Sequence, residues 1–83
     1  MNPEVHLQVQ ALLRRVVADP SLEVGAATRA ADVEGWTSLA HIQLMVGIEQ
    51  HYGIRFGLAE VNAPADVGEL VTLVARKAGL PAG

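Results

Sequence analysis

The sequence predicts an all-α fold: a small bundle of three main helices and one short helix, with a long first connection. Apolar residues recur at three- and four-residue spacing in three segments, and residues that commonly begin or end helices flank those segments. No two segments show the alternation of paired strands, and none repeats another. The 83 residues form one domain, expected to span residues 1–83, which is too small for a deep, self-contained catalytic cleft.

The first helix is expected over about residues 3–18. Asn2 is a candidate N-cap, and Pro3 stands at the first helical position, where the missing N–H of proline costs nothing. Pro20 ends the helix because a proline disfavours helical geometry in the residue before it. Residues 21–37 then form a connection of a length that is usually functional or disordered in small domains. The expected buried face of this helix consists of Val5, Val9, Leu12, Leu13 and Val16.

The second helix is expected over about residues 38–52. It ends at Gly53, which can adopt the left-handed conformation of a helix C-cap. Its candidate buried positions lie on overlapping stripes: Leu39, Ile42, Met45 or Val46, and Tyr52. The pattern leaves open whether Met45 or Val46 faces the core. If Val46 faces outward, it provides an apolar docking position.

The remainder of the chain predicts a short helical turn at residues 58–61 and a last main helix. The last helix begins at Asp66, whose carboxylate can cap the free N–H groups, and Glu69 completes a capping box three residues later. It ends at Gly79, and residues 81–83 are expected to be a frayed tail. The expected buried face consists of Val67, Leu70, Val71, Val74 and Ala78.

The composition excludes several classes of function. Nine acidic residues against six basic ones give a formal charge of −3, and the basic residues are not clustered, so nucleic acid is not an expected partner. The absence of cysteine excludes disulfides and thiolate sites. We find neither a signal-peptide pattern nor an apolar run of about 20 residues, and therefore expect a cytoplasmic protein without a membrane partner. The three histidines lack metal-ligand spacing, so no metal site is expected.

Ser38 occupies the most informative position, at the start of a helix directly after the long connection. The free N–H groups and the positive dipole end of a helix favour an anionic group, so a phosphate ester on Ser38 would be accommodated. His41 lies three residues later and suggests a base beside a nucleophile. However, no orienting carboxylate and no Gly-x-Ser-x-Gly turn accompany the pair, so a hydrolase is the least favoured interpretation.

The segment Gly35-Trp36-Thr37-Ser38-Leu39-Ala40-His41-Ile42 resembles the acyl carrier protein family, in which an Asp-Ser-Leu motif carries a 4′-phosphopantetheine arm on its serine. Residues 48–56 and 66–71 are similar to the end of the family's second helix and the opening of its fourth. The resemblance covers nearly the whole chain and implies a four-helix acyl-carrier-like bundle. It also implies that Ser38 is the attachment residue, framed by Thr37 and Leu39, and that the chain is a monomeric carrier without turnover.

Two departures from the family pattern affect the expected partners. Thr37 stands where the family has an aspartate; its hydroxyl can cap the helix but brings no charge. Residues 36–48 contain no acid, whereas carriers of primary fatty-acid synthesis have an acidic second helix, so recognition should depend more on apolar and hydrogen-bonding contacts. This difference favours a role in polyketide or nonribosomal peptide assembly over one in primary lipid synthesis. The expected partner-facing residues are Trp36, Ala40, His41, Gln43, Val46 and Glu49.

The resemblance implies three kinds of partner: a phosphopantetheinyl transferase, an enzyme that loads an acyl or aminoacyl group, and synthases or transferases that use the cargo. An aminoacyl or peptidyl carrier is one alternative function, and an unmodified carrier-like interaction module is another. The sequence leaves three smaller questions open. Trp36 can instead plug the loop against the bundle, Glu49 can pair with Arg55, and a core lined by residues such as Leu44, Ile48 and Val71 can shelter an acyl chain.

Overall fold

The computed structural model describes residues 1–83 and contains only helices and connections, which confirms the all-α prediction. Four α-helices follow one another along the chain, and one 3₁₀ turn, which the sequence did not predict, lies in the first connection at Ala30–Asp32. None of the helices is both long and apolar enough to cross a membrane. The helices are α1 (Pro3–Val16), α2 (Ser38–Tyr52), α3 (Leu58–Val61) and α4 (Val67–Lys77).

Helix α1 begins as predicted and ends two residues earlier than predicted. The Asn2 side-chain oxygen accepts hydrogen bonds from the backbone N–H groups of Glu4 and Val5, at 3.0 and 3.1 Å. At the other end, Ala18 adopts a left-handed conformation with φ of 56°, and the Asp19 N–H donates to a carbonyl in the last helical turn. The left-handed residue stops the helix before the proline does, and it is not a glycine, so the sequence pattern does not indicate it.

The core lies between α1, α2 and α4, with α1 packed against both other helices. The predicted buried faces of α1 and α4 are confirmed, except that Val16 and Ala78, at the helix ends, are only half-buried. Two apolar residues of the long connection, Val24 and Val33, join the core. The connection therefore contributes to the packed interior and is not only a link between helices.

The orientation of α2 differs from the expected one. Met45 is buried and Val46 is 43% exposed, which answers the question the pattern left open. Leu39 and Ile42, placed on the buried stripe by the sequence, are 64% and 54% exposed, so that part of the prediction is wrong. The inward positions are Ala40, Leu44, Met45 and Ile48. Because α2 is apolar on nearly every side, its own periodicity does not determine which side packs.

Helix α2 approaches α1 closely at Gly47. A β-carbon at this position would lie 3.2 Å from the Leu12 Cδ2 atom, so the absence of a side chain allows the two helices to come together. Gly53 is the C-cap of α2: it has φ of 65°, as expected for a left-handed cap, and its N–H donates to the Glu49 carbonyl. Both glycines thus have a physical role in placing α2.

The long first connection is held to α1 and α4 by hydrogen bonds. The Val24 N–H donates to the Gln10 side-chain oxygen at 2.8 Å, and the Val24 carbonyl bonds to the His6 ring. Further along, the Gly68 N–H donates to the Ala26 carbonyl at 2.8 Å. The connection therefore follows a defined path to the start of α2.

Asp66 is the N-cap of α4, and its carboxylate accepts the Glu69 N–H at 2.9 Å. The second half of the expected capping box is displaced by one residue, because the Glu69 carboxylate accepts from Ala65 at 3.1 Å instead of from Asp66. At the end of the helix, Gly79 has φ of 72°. The predicted bounds of this helix are therefore correct to within two residues at each end.

Candidate functional site

Ser38 is the first residue of α2, and its side chain is exposed. The preceding Thr37 is the N-cap: its hydroxyl oxygen accepts the Ala40 N–H at 3.2 Å and its carbonyl accepts the His41 N–H at 2.9 Å. The N–H groups of Ser38 and Leu39 have no partner within the chain. A helix start with two free donors and a positive dipole end stabilises an anion, as predicted from the sequence.

A groove with a volume of about 500 Å³ runs from Ser38 between α2 and α3. Most of its lining is apolar, and Glu49 is the one charged residue in it. A second depression, of about 600 Å³, lies over the start of α4 and includes neither Ser38 nor any other residue of α2. The groove beside Ser38 is lined by Ala30, Trp36, Thr37, Ser38, His41, Ile42, Met45, Val46, Glu49, Phe56, Leu58, Val61 and Asn62.

Three exposed apolar side chains line this groove, and a fourth, Leu39, is exposed next to Ser38 in the chain. We call the four the apolar face: Leu39, Ile42, Val46 and Leu58. The first three follow Ser38 at helical spacing on the outer side of α2. Leu58 begins α3 and is 93% exposed. Clustered exposed apolar residues of this kind are characteristic of surfaces that bind another molecule.

His41 joins three elements around the groove. Its Nδ1 atom accepts the Trp36 indole N–H at 3.1 Å, and its Nε2 atom lies 2.7 Å from the Val61 carbonyl oxygen at the end of α3. The Trp36 and His41 rings stack, with centroids 5.9 Å apart. We call these two hydrogen bonds the His41 bridge. Both ring nitrogens are engaged away from Ser38, so His41 is not available as a base for the Ser38 hydroxyl.

Glu49 orders the connector between α2 and α3. Its carboxylate accepts the Phe56 backbone N–H at 2.8 Å, which draws residues 53–57 back against α2. The pairing with Arg55 that the sequence left open is absent, and Arg55 is exposed. The only acidic side chain of α2 is therefore used within the molecule.

Glu60 and Lys77 hold α3 against α4. The Lys77 ammonium lies 2.9 Å from the Glu60 carboxylate, which also accepts the Gly57 N–H at 2.7 Å. The Gly57 hydrogen bond first, and the Lys77 ammonium second, lower the pKa of Glu60 below its ordinary value. Lys77 also lies over the Phe56 ring, 6.0 Å from its centroid. These contacts fix the wall of the groove opposite α2.

The structure brings some of the expected partner-facing residues to the surface and buries others. Gln43 and Val46 are exposed on α2, while Trp36, His41 and Glu49 are half-buried and hydrogen-bonded. Ala40 is 4% exposed, so its predicted outward orientation is wrong. It faces inward because it lies four residues before Leu44 and eight before Ile48, on the side of α2 that packs against the core.

Sequence reasoning missed Ile42 and Leu58 as surface residues of the site. Ile42 was assigned to the core, and Leu58 lies in a helix too short to show periodicity. The core positions expected to shelter an acyl chain, Leu44, Ile48 and Val71, are fully buried and none of them lines the groove. The groove that adjoins Ser38 is therefore separate from these core positions and lies nearer the surface.

The fold and the position of Ser38 define a carrier-type four-helix bundle. Among solved structures, this chain is similar to the solution structure of a holo acyl carrier protein from Geobacter metallireducens. The two are 35% identical, the match covers 90% of this chain and 86% of that one, and the TM-score is 0.82. No protein-family model and no curated relative matches the sequence. The chain belongs to the acyl carrier protein family, as the sequence resemblance implied, and that family is one of carriers rather than enzymes.

Proposed function

We propose that this protein carries 4′-phosphopantetheine on Ser38 and presents acyl groups to partner enzymes. The observation that carries the proposal is the exposed Ser38 hydroxyl at the first position of α2, next to two free N–H groups and an apolar groove. The similar Geobacter protein is a holo form, which supports a prosthetic group in this family. Once attached, the arm supplies a thiol on which an acyl group is held as an activated thioester.

The residues around Ser38 fit a phosphate diester. The Ser38 and Leu39 N–H groups can donate to its oxygens, and the α2 dipole stabilises its negative charge by about 0.3–1 kcal/mol. Thr37 keeps the helix start in place through its bond to Ala40. The adjoining groove offers an apolar surface to the proposed arm and its cargo.

The attachment requires a partner enzyme, because no base of this chain reaches Ser38. In the proposed step the Ser38 oxygen attacks the phosphorus of coenzyme A that carries the pantetheine arm. A phosphorus–oxygen bond forms to Ser38, the bridging phosphorus–oxygen bond of the coenzyme A diphosphate breaks, and adenosine 3′,5′-bisphosphate leaves. The hydroxyl proton passes to a base of the phosphopantetheinyl transferase, since both nitrogens of His41 are engaged elsewhere.

We further propose that the partners recognise the apolar face, and that the protein serves polyketide or related specialised biosynthesis as a cytoplasmic monomer. Helix α2 contains one acid, Glu49, and its carboxylate is bonded to the Phe56 N–H. A docking surface without free carboxylates suits partners that contact it mainly through apolar groups. The partners are a loading enzyme and the synthases or transferases that use the cargo.

An aminoacyl or peptidyl carrier of nonribosomal peptide assembly would use the same arm on Ser38 and the same docking surface, because the apolar face does not select the cargo. Incubating the modified protein with an acyltransferase and an acyl-coenzyme A, or with an adenylating enzyme, ATP and an amino acid, separates the two functions. Loading by the acyltransferase supports the acyl function. Loading by the adenylating enzyme alone supports the aminoacyl one.

The attachment is tested by the intact mass of the protein after incubation with coenzyme A and a broad-specificity phosphopantetheinyl transferase. We expect the mass to increase by one phosphopantetheine in the natural protein and not in Ser38→Ala. Ser21→Ala is a matched control, because Ser21 is the only other serine and is also exposed. This variant should be modified fully.

Lack of modification, under conditions that modify a known carrier, would contradict the proposal. In that case Thr37→Asp identifies the reason, because it supplies the carboxylate that the family has at this position. Modification restored by Thr37→Asp would indicate an unmodified carrier-like interaction module. Modification of the natural protein that persists in Ser38→Ala would place the arm on another residue.

A further inference from the structure

We propose that His41 is a positioning residue whose neutral form holds the segment before Ser38 against α3, and whose protonation breaks that connection and slows modification of Ser38. The coupling to modification rests on the proposed function, whereas the break in the His41 bridge does not. The inference is carried by the two hydrogen bonds that the His41 ring makes, one to the indole of Trp36 and one to the carbonyl of Val61.

The geometry assigns the tautomer of His41. An indole N–H can only donate, so the Nδ1 atom, 3.1 Å from it, must be the unprotonated acceptor. The proton of the neutral ring is then on Nε2, which donates to the Val61 carbonyl at 2.7 Å. A second proton, on Nδ1, would point the His41 Nδ1–H at the Trp36 indole N–H, and neither group can accept. The Trp36 bond is therefore incompatible with protonated His41, while the Val61 bond is compatible with both forms.

The position of the bridge connects it to Ser38. Trp36 lies two residues before Ser38 and one before the cap residue Thr37. Val61 is the last residue of α3, and both it and Trp36 line the groove. Loss of the Trp36 bond therefore removes the side-chain connection between this segment and α3, while the Thr37 cap on Ala40 remains, and it loosens one end of the groove. A transferase that requires this segment in its ordered position would then bind a smaller population of competent molecules.

The surroundings of His41 contain few other charged groups. On α2, Glu49 lines the same groove, and its carboxylate accepts the Phe56 N–H. At the start of α4, Asp66 lines a small depression shared with His41, and its carboxylate accepts the Glu69 N–H. The residues facing the ring from the first connection and from α3, Trp36 and Val61, are uncharged. Both of these carboxylates are already bonded to backbone N–H groups, so the contacts that depend on the charge of the His41 ring are those of the bridge itself.

The first measurement follows the indole N–H resonance of Trp36 by ¹H–¹⁵N NMR from about pH 8 to about pH 5. The chain has one tryptophan, so the spectrum contains one indole signal. We expect this signal to shift with pH in the natural protein and in His51→Gln, a control in which the exposed histidine of the same helix is removed. In His41→Gln, which has no titrating ring, the signal should not shift. A signal that is independent of pH in the natural protein, or that shifts equally in His41→Gln, overturns the inference.

The second measurement compares rates of Ser38 modification by one phosphopantetheinyl transferase over the same pH range. Dividing the natural rate by the His41→Gln rate at each pH removes the pH dependence of the transferase. We expect this ratio to follow the fraction of unprotonated His41 read from the indole signal, falling about tenfold when nine tenths of it is protonated. The ratio for His51→Gln should stay constant.

The outcomes separate the two proposals. An indole signal that titrates through His41 while the rate ratio stays constant would overturn the positioning role. Absence of modification at every pH, in all variants, would be a failure of the proposed function, and the indole titration would still decide whether protonation breaks the bridge. Circular dichroism of each variant establishes that its helices are intact.

Discussion

At the scale of single residues, Glu60 has the environment that should be most visible in the pH dependence of folding stability. The Gly57 N–H and the Lys77 ammonium both favour its charged form, so its pKa in the folded protein lies below the ordinary value of 4.5. A carboxyl with a lowered pKa contributes stability that is fully present above the ordinary pKa. That contribution is lost as the pH falls through the lowered value.

We therefore expect Glu60→Gln to reduce the loss of stability between about pH 6 and pH 3, because this variant has no carboxylate to protonate. The measurement is the free energy of unfolding in urea at several pH values. Glu34→Gln is the control: Glu34 is exposed and makes no hydrogen bond or ion pair, so its removal should leave the acid dependence unchanged. An equal effect of the two substitutions would show that the Gly57 and Lys77 contacts do not stabilise the fold.

At the scale of elements, α2 is the helix whose orientation determines the site. Ala40 faces the core and Ile42, two residues later, faces solvent beside Ser38. Because α2 has apolar residues on nearly every side, the side that packs is chosen by its fit against α1 and α4. The side of α2 that remains exposed carries Leu39, Ile42 and Val46, the three residues that α2 contributes to the apolar face.

The orientation of α2 is tested by placing glutamine at each of the two positions. Ala40→Gln should lower the free energy of unfolding by about 1–3 kcal/mol, because the larger side chain overpacks a buried position. Ile42→Gln should change it by no more than about 0.5 kcal/mol, as is usual at the surface. Urea denaturation of both variants measures the difference. A larger loss from Ile42→Gln than from Ala40→Gln would contradict the assigned orientation.

At the scale of the whole molecule, the path of the long connection depends on a close approach to α4. A β-carbon at Gly68 would lie 2.9 Å from the Ala26 carbonyl oxygen, the same atom that accepts the Gly68 N–H. Real β-carbons are not found so close to a backbone oxygen. A side chain at Gly68 would therefore move the connection that leads to Ser38.

Gly68→Ala should destabilise the protein by about 1–3 kcal/mol through this overlap, despite the better helix propensity of alanine. Gly25→Ala is the matched control in the same connection. It has open space around it and no left-handed φ, so it should be neutral or stabilising by about 0.4–1 kcal/mol. Thermal or urea unfolding of both variants is the measurement. If Gly68→Ala proved as stable as the natural protein, the close approach of Gly68 to Ala26 would not determine the path of the connection.

Local signals in the sequence were sufficient to predict the helices. The side chains of Asn2, Thr37 and Asp66 accept hydrogen bonds from backbone N–H groups only two or three positions further along the chain. A left-handed glycine such as Gly53 is also a local feature. Interactions of this range depend on neighbouring residue types, so most helix bounds and the place of Ser38 at a helix start follow from the order of the amino acids. The end of α1 before the left-handed Ala18 is the exception.

The chain's own sequence therefore determined the all-α class, the approximate bounds of the helices and the resemblance centred on Ser38. Only the tertiary structure decided that Ala40 is buried and Ile42 exposed. It also decided that His41 bonds to Trp36 and to Val61, the second of which lies twenty residues after His41. The physical reason is the range of the forces involved. Caps and turns are made within a few residues, whereas the orientation of an apolar helix and the partners of a half-buried ring depend on how separate helices pack together.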